Sequence, residues 1–268
     1  MADTLTIATR GSRLALWQSE HVASLLRKAH PGLEVKLNVM STKGDLVLDK
    51  PLAKIGDKGL FTAELEASLR VGSSDIAVHS YKDLPTEMPA GLTLGAILER
   101  EDPRDVLLVR AGVELATGTG SPLASLPKSA KLGSSSPRRR SQALAVCSSF
   151  NISDLRGNVD TRVRKLAEGR HDAIILAAAG LIRLGMLERG SLVPLGILKE
   201  SGISAWPLEP GAWLPAPCQG AVAIQARADD TRTLGLLAPL DHAGTRMACE
   251  TEKSVLAQLG GGCQIPAG

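Results

Sequence analysis

Apolar runs of strand length alternate with longer stretches of helical spacing along this chain, and that alternation limits the fold more than any single motif does. Thr4 to Ala8 reads as a strand, and Gly11-Ser12 leads into Arg13 to His30, where Leu14, Val22, Leu25 and Leu26 make a helical stripe that Pro31-Gly32 ends. Val35, Leu37 and Val39 alternate as a second strand. Helical spacing returns over Leu60 to Arg70, before strand-length runs at Ile76 to Val78 and Leu92 to Leu98. Past residues 99 to 104 the pattern restarts. Val106 to Val109 is followed by a strand-turn-helix over Lys131 to Val146, a basic helix through Arg162, Arg164 and Lys165, and a buried strand at Ala173 to Ala177. This order predicts an α/β protein with parallel or mixed sheets covered by helices.

Residues 188 to 217 carry Pro194, Pro207, Pro210, Pro215 and Pro217, a composition that predicts an irregular crossover or hinge. Gly220 to Ala226 reads as one more strand, returning to the first domain, and Thr245 to Leu259 as a final helix. The expected organisation is therefore 1–100 as the first part of domain 1, 101–200 as domain 2, 201–240 as hinge and return, and 241–268 as a partial C-terminal domain. The sequence carries no internal repeat. A length of 268 residues suits two ordinary domains.

Composition narrows the function classes. Three Trp, two Phe and one Tyr leave the cores to Leu, Ala, Val and Ile and give almost no platforms for stacking bases, and a net charge of +3 demands no polyanionic partner. A nucleic-acid module is thus the weakest reading, in spite of Arg138 to Arg140. No stretch approaches a membrane span, and Met1 to Leu5 has no basic region leading into an apolar core, so a cytoplasmic location with no membrane partner is the default expectation. The four cysteines lie far apart with no C-x-x-C pair, and the five histidines are dispersed, so no metal site is expected.

The chemistry concentrates in a few segments. In Ser74-Asp75-Ile76-Ala77-Val78-His79-Ser80-Tyr81-Lys82-Asp83-Leu84-Pro85 a short apolar run opens into a polar cluster, as at the carboxyl end of a strand where open α/β sheets bind ligands. On spacing alone this reads equally as a catalytic strand end centred on Asp83 or as a solvated loop with a surface Lys-Asp pair. Arg10-Gly11-Ser12-Arg13, Ser134 to Arg140, and Leu155 to Arg162 place cations and hydroxyls at strand-to-helix junctions, where free N–H groups and the helix dipole favour anions. Taken singly, each is more simply a capped helix with a solvated arginine; taken together, they predict a cleft for a ligand with several negative groups. Cys263, after a helix and three glycines, is on spacing more simply an ordinary cysteine than a reactive thiol.

Several segments, in order, resemble the porphobilinogen deaminase (hydroxymethylbilane synthase) family: Arg10-Gly11-Ser12, Leu52 to Phe61, Asp75 to Pro85, Glu99 to Asp105, Leu155 to Arg162, Ala173 to Gly185, Gln219-Gly220-Ala221 and Gly261-Gly262-Cys263-Gln264. The resemblance implies two lobes like the type II periplasmic-binding proteins, with mixed sheets covered by helices, plus a small, truncated α+β C-terminal domain. It implies a transferase that condenses four porphobilinogens head to tail, with loss of ammonia, and then releases hydroxymethylbilane by hydrolysis. The primer would be a dipyrromethane joined by a thioether to Cys263, and Asp83 would be the catalytic carboxylate.

By the same resemblance Lys82, Ser80, Ser134, Ser136, Arg138 and Arg139 would hold the cofactor. Arg10, Ser12, Arg156, Arg162, Arg183, Gln219, Lys54 and Lys58 would hold the substrate. The partners implied are porphobilinogen and the growing oligopyrrole, for a monomer. This chain departs from the family pattern at Pro137, where an aliphatic residue is usual, at Arg140, which extends an arginine pair, and at Cys218, where glycine is common. The alternative from another class is a non-catalytic anion- or carboxylate-binding module on the same two-lobed fold.

Overall fold

The computed structural model describes residues 3–42, 44, 61–116 and 121–260. Strand β1 (Thr4–Arg10) runs into helix α1 (Arg13–Ala29), followed by β2 (Glu34–Met40), α2 (Ala63–Arg70), β3 (Ile76–Ser80), a 3-10 turn (Tyr81–Asp83) and β4 (Leu92–Ile97). Then come β5 (Asp105–Val109), β6 (Lys131–Gly133), α3 (Pro137–Val146), β7 (Asn151–Ser153), α4 (Val159–Ala167), β8 (Ala173–Ala177), α5 (Ala178–Arg183), α6 (Gly196–Glu200) and β9 (Ser204–Leu208). Strand β10 (Val222–Arg227), helix α7 (Thr231–Leu237) and helix α8 (Ala243–Gln258) complete the order. The helix starts have local causes. The Ser12 side chain accepts from the Ala15 N–H at the start of α1, and Ser136 caps α3 with Pro137 in its first turn, where a missing N–H costs nothing.

The chain forms two compact units. The first takes the described residues through Glu101 and again from Ala221 onward; the second is Asp102–Gly220. The first sheet has the order β2-β1-β3-β10-β4, with β1 parallel to β2 and β3, and β10 antiparallel to both its neighbours. The second has the order β7-β6-β8-β5-β9, with β6 parallel to β7 and β8, and β5 antiparallel to both its neighbours. Each sheet is therefore three parallel strands, then one reversed strand entered directly from the other unit's segment of chain, then an edge strand. This is the strand order of the type II periplasmic-binding-protein fold, present twice in a chain without an internal sequence repeat.

Apolar burial explains why these runs become strands. Leu5, Ile7, Val22, Leu26, Ile76, Val78, Val222 and Ile224 pack in the first unit's core, and Val106, Leu108, Val163, Leu166, Ile174 and Leu176 pack together in the second. Each such side chain contributes about 1.5–3 kcal/mol when taken fully out of water.

Residues 188 to 217 correct the expectation of an irregular segment. They contain helix α6 and strand β9, which pairs with β5 over Ser204 to Leu208. Pro207 sits opposite Val106 on an edge strand, where a residue without an N–H is tolerated. Three further short elements, β7, α5 and α7, have no counterpart in the sequence pattern; they are too short for their periodicity to register.

Candidate active site

In the first unit the strand register gathers the predicted residues. Ile7 lies opposite Ile76 and Ala8 opposite Ala77, so β1 and β3 finish side by side, β1 in Arg10 and β3 in Ser80. The chain then makes the 3-10 turn that carries Lys82 and Asp83. Tyr81 and Leu84 are buried on either side of the turn, whereas Asp83 is exposed and Lys82 half-buried. The Tyr81 N–H donates to the Ala221 carbonyl at 3.0 Å, and the Leu84 N–H donates back to the Tyr81 carbonyl at 3.2 Å. Asp83 is thus an exposed residue on a backbone fixed at both ends. Arg10 lies over the Phe61 ring at 4.3 Å, Ser12 caps α1, and the Ser80 hydroxyl accepts from the Gln18 side chain at 3.0 Å.

His79, one residue before Ser80, is buried, and its Nε2 finds no hydrogen-bond partner among the described residues. Burial lowers its pKa from 6.5 to about 4; the Gln225 side chain opposes this, and the positive charge of Arg10 adds to it. The imidazole is therefore neutral near pH 7. Below its unfolded pKa the unfolded chain takes up a proton that the folded chain refuses until about pH 4, so stability falls as pH drops through that window. The expected loss is about 3 kcal/mol, and His79→Gln should remove it; urea denaturation at about pH 7 and about pH 4 measures the difference between the two proteins.

In the second unit the predicted residues also gather at the carboxyl ends of parallel strands. Ser134 follows β6, Ser136 caps α3, Arg156 follows β7, Arg162 lies in the first turn of α4, and Arg183 closes α5 directly after β8. The Arg162 Nε donates to the Gly157 carbonyl at 2.7 Å, and an Arg183 Nη donates to the Gly220 carbonyl at 2.6 Å. The Arg156 carbonyl accepts from Lys165 Nζ at 2.9 Å.

One carboxylate gathers Arg138, Arg139 and Gln219. Asp105, fully buried at the start of β5, accepts from Arg138 at 2.7 Å, from Arg139 at 2.7 and 3.2 Å, from the Trp213 indole at 2.9 Å and from the Gln219 amide at 2.9 Å. Burial alone would raise its pKa. The charges of Arg139 and Arg138, with hydrogen bonds from Arg139 and Trp213, outweigh that and hold it far below the usual carboxylate range. Burial lowers the pKa of the Arg138 guanidinium, the neighbouring charge of Asp105 offsets part of this, and the group stays cationic at neutral pH.

Two arginines around one carboxylate leave a net positive charge beside the hydroxyls of Ser134 and Ser136. Arg138 also donates to the Leu214 carbonyl, and Arg139 to the Ile175 carbonyl. Each guanidinium has five N–H groups, and these bonds leave some of them for an anion. From sequence Arg138 and Arg139 are assigned to the cofactor by resemblance alone, and Asp105 is given no role; its one signal is a carboxylate opening an apolar strand. Cys218, just before Gln219, has φ +60°, a backbone conformation that favours glycine.

Three predicted residues, Lys54, Lys58 and Cys263, lie outside the described residues. The arrangement in each unit suits a ligand bearing carboxylates: fixed cations and hydroxyls at strand ends, and in the first unit an accessible carboxylate that can face a developing positive charge.

The comparisons with known proteins decide the family. The family profile described as "Porphobilinogen deaminase, dipyromethane cofactor binding domain" matches residues 5–235. The chain belongs to the porphobilinogen deaminase family. A porphobilinogen deaminase from Roseiflexus sp. (strain RS-1) is 47% identical over 268 residues, 100% of this chain and 81% of that protein. One from Nitratidesulfovibrio vulgaris (strain DSM 19637 / Miyazaki F) is 50% identical over 262 residues, 98% of this chain and 76% of that protein. Among solved structures, a Corynebacterium glutamicum OxyR cysteine mutant in its H2O2-bound form matches with a TM-score of 0.50 at 13% identity, covering 100% of this chain and 71% of that one. That likeness bears on the fold alone. Within this family, then, the chain folds into two sheets of the same strand order.

Proposed function

We infer that the protein is a porphobilinogen deaminase, a transferase of tetrapyrrole biosynthesis that condenses four porphobilinogens head to tail with loss of ammonia and releases linear hydroxymethylbilane. The observation that carries the catalytic assignment is the exposed carboxylate of Asp83 on a turn fixed by buried Tyr81 and Leu84, at the strand edge where Arg10 also ends. Ammonia departing from the aminomethyl arm of porphobilinogen leaves positive charge on the substrate ring. A carboxylate already fixed in place stabilises that charge as it grows and needs no reorganisation to do so. Asp83 also holds and returns the proton that moves in the exchange. Arg10 and Ser12 in the first unit, and Arg156, Arg162, Arg183 and Gln219 in the second, bind the acetate and propionate groups, with Lys54 and Lys58 assisting.

Ser80, Lys82, Ser134, Ser136, Arg138 and Arg139 would hold a dipyrromethane linked to Cys263. Its acetates and propionates suit the net positive charge that Asp105 leaves on Arg138 and Arg139 and the donors of the two serines. When bound, that group supplies the terminal pyrrole carbon that is extended. The protein would act as a monomer in the cytoplasm, with light scattering to check the first; no helix among the described residues is long and apolar enough to cross a membrane. The direct test of the activity is incubation with porphobilinogen, following its consumption with Ehrlich's reagent and the appearance of hydroxymethylbilane. Consumption without hydroxymethylbilane appearing, or no consumption at all, would refute it.

A further inference from the structure

Helix α8 carries a buried lysine that the site described above leaves unused. The inward stripe of α8 is Thr245, Cys249, Lys253 and Leu256, which puts a charged residue, 7% exposed, at a core position. Lys253 Nζ donates to the Leu84 carbonyl at 2.5 Å and lies 5.2 Å from the centre of the Tyr81 ring. Neither partner is a carboxylate. An apolar side chain would fill the position without the cost of desolvating an ammonium. What the ammonium adds is a grip on two residues, Tyr81 and Leu84, that bracket Asp83. The ring face and the carbonyl are both electron-rich, so one cation draws the two ends of the turn onto the helix. Backbone hydrogen bonds from Tyr81 to Ala221 and from Leu84 to Tyr81 close the turn on its other sides.

We propose that Lys253 is a positioning residue that fixes the angle at which the turn presents Asp83, tying that turn to the helix that precedes Cys263 in the chain. The inference rests on the reading of Asp83 as the catalytic carboxylate. It differs from a packing role in its kinetic signature. Loss of alignment alone lowers kcat and spares KM, because the carboxylate acts on charge that develops after binding.

The test compares Lys253→Met, Lys253→Gln, Lys253→Arg, Asp83→Ala and the double variant Asp83→Ala/Lys253→Met. Each is purified with its cofactor content measured, and kcat and KM for porphobilinogen are read beside the melting temperature. Lys253→Met is expected to lower kcat by about 10- to 100-fold with KM changed by no more than about threefold. Lys253→Arg should recover most of the rate, since a guanidinium reaches the same carbonyl and ring. Should Lys253→Met not fold, Lys253→Gln, a shorter uncharged donor, is held to the same expectation. The double variant should be no slower than Asp83→Ala alone, because a residue acting through Asp83 has nothing left to align. Full kcat in folded Lys253→Met or Lys253→Gln, losses that multiply in the double variant, or a loss that follows the melting temperature without rescue by arginine would each overturn the proposal. Asp83→Ala with near wild-type turnover would instead overturn the reading it rests on.

Discussion

Asp83→Ala is expected to lower kcat by about 10²- to 10⁴-fold while the unfolding free energy stays within about 0.5 kcal/mol of wild type. The two halves of this expectation have separate causes. The rate loss follows from removing a charge that opposes a developing cation, the kind of preorganised group whose deletion is felt in the transition state. The unchanged stability follows from exposure: the turn is held by buried Tyr81 and Leu84 and by the bond from Tyr81 to Ala221, none of which involves the Asp83 carboxylate. Asp83→Glu keeps the charge but moves it by one methylene, and should fall between wild type and alanine. Asp83→Asn keeps the shape and loses the charge, and should resemble alanine. Steady-state hydroxymethylbilane formation and calorimetric melting, run on the same samples, measure both halves.

Asp105→Ala should have the opposite signature, a large loss of stability. Truncation leaves the buried guanidinium groups of Arg138 and Arg139 without their carboxylate and strips the Trp213 and Gln219 donors of an acceptor. Breaking a buried ion pair from one side costs about 3–5 kcal/mol. Asp105→Asn should cost nearly as much, because its amide N–H₂ would face donors. The pH dependence has a definite sign. The folded pKa of Asp105 is depressed, so its contribution is fully present above the unfolded carboxylate value of about 4 and is lost as pH falls toward the folded value. Wild type should therefore lose stability on acidification below about pH 4 by a component that Asp105→Ala lacks. Denaturant titrations at about pH 7 and about pH 3 measure it. Since Arg138, Arg139 and Gln219 share this carboxylate, loss of cofactor retention should accompany loss of stability.

Strand ends are more legible in this sequence than the contacts behind them. The run Ile76 to Val78 is short and wholly apolar and opens into a polar cluster, so local pattern alone puts Asp83 just past a strand end, where the structure has it. Ser12 and Ser136 are legible as caps for the same reason. The partnership of Asp105 is not, because Arg138, Arg139, Trp213 and Gln219 are brought to it by the sheet and not by proximity in the chain. Strand β9 is hidden by its proline and those around it, which count against a strand unless it is known to be an edge. The repeated sheet order is invisible because equivalent topology needs only apolar runs of suitable length, and the two halves use different residues for them. Lys253 does leave a trace: a lysine in step with Cys249 and Leu256 on an otherwise inward helical face.

The intact mass of the purified protein, made in a host that produces porphobilinogen, tests the account most directly. The prediction is a dipyrromethane-sized addition on wild type, coloured by Ehrlich's reagent and absent from Cys263→Ala. A bare wild-type mass, or the same addition persisting on Cys263→Ala, would contradict it.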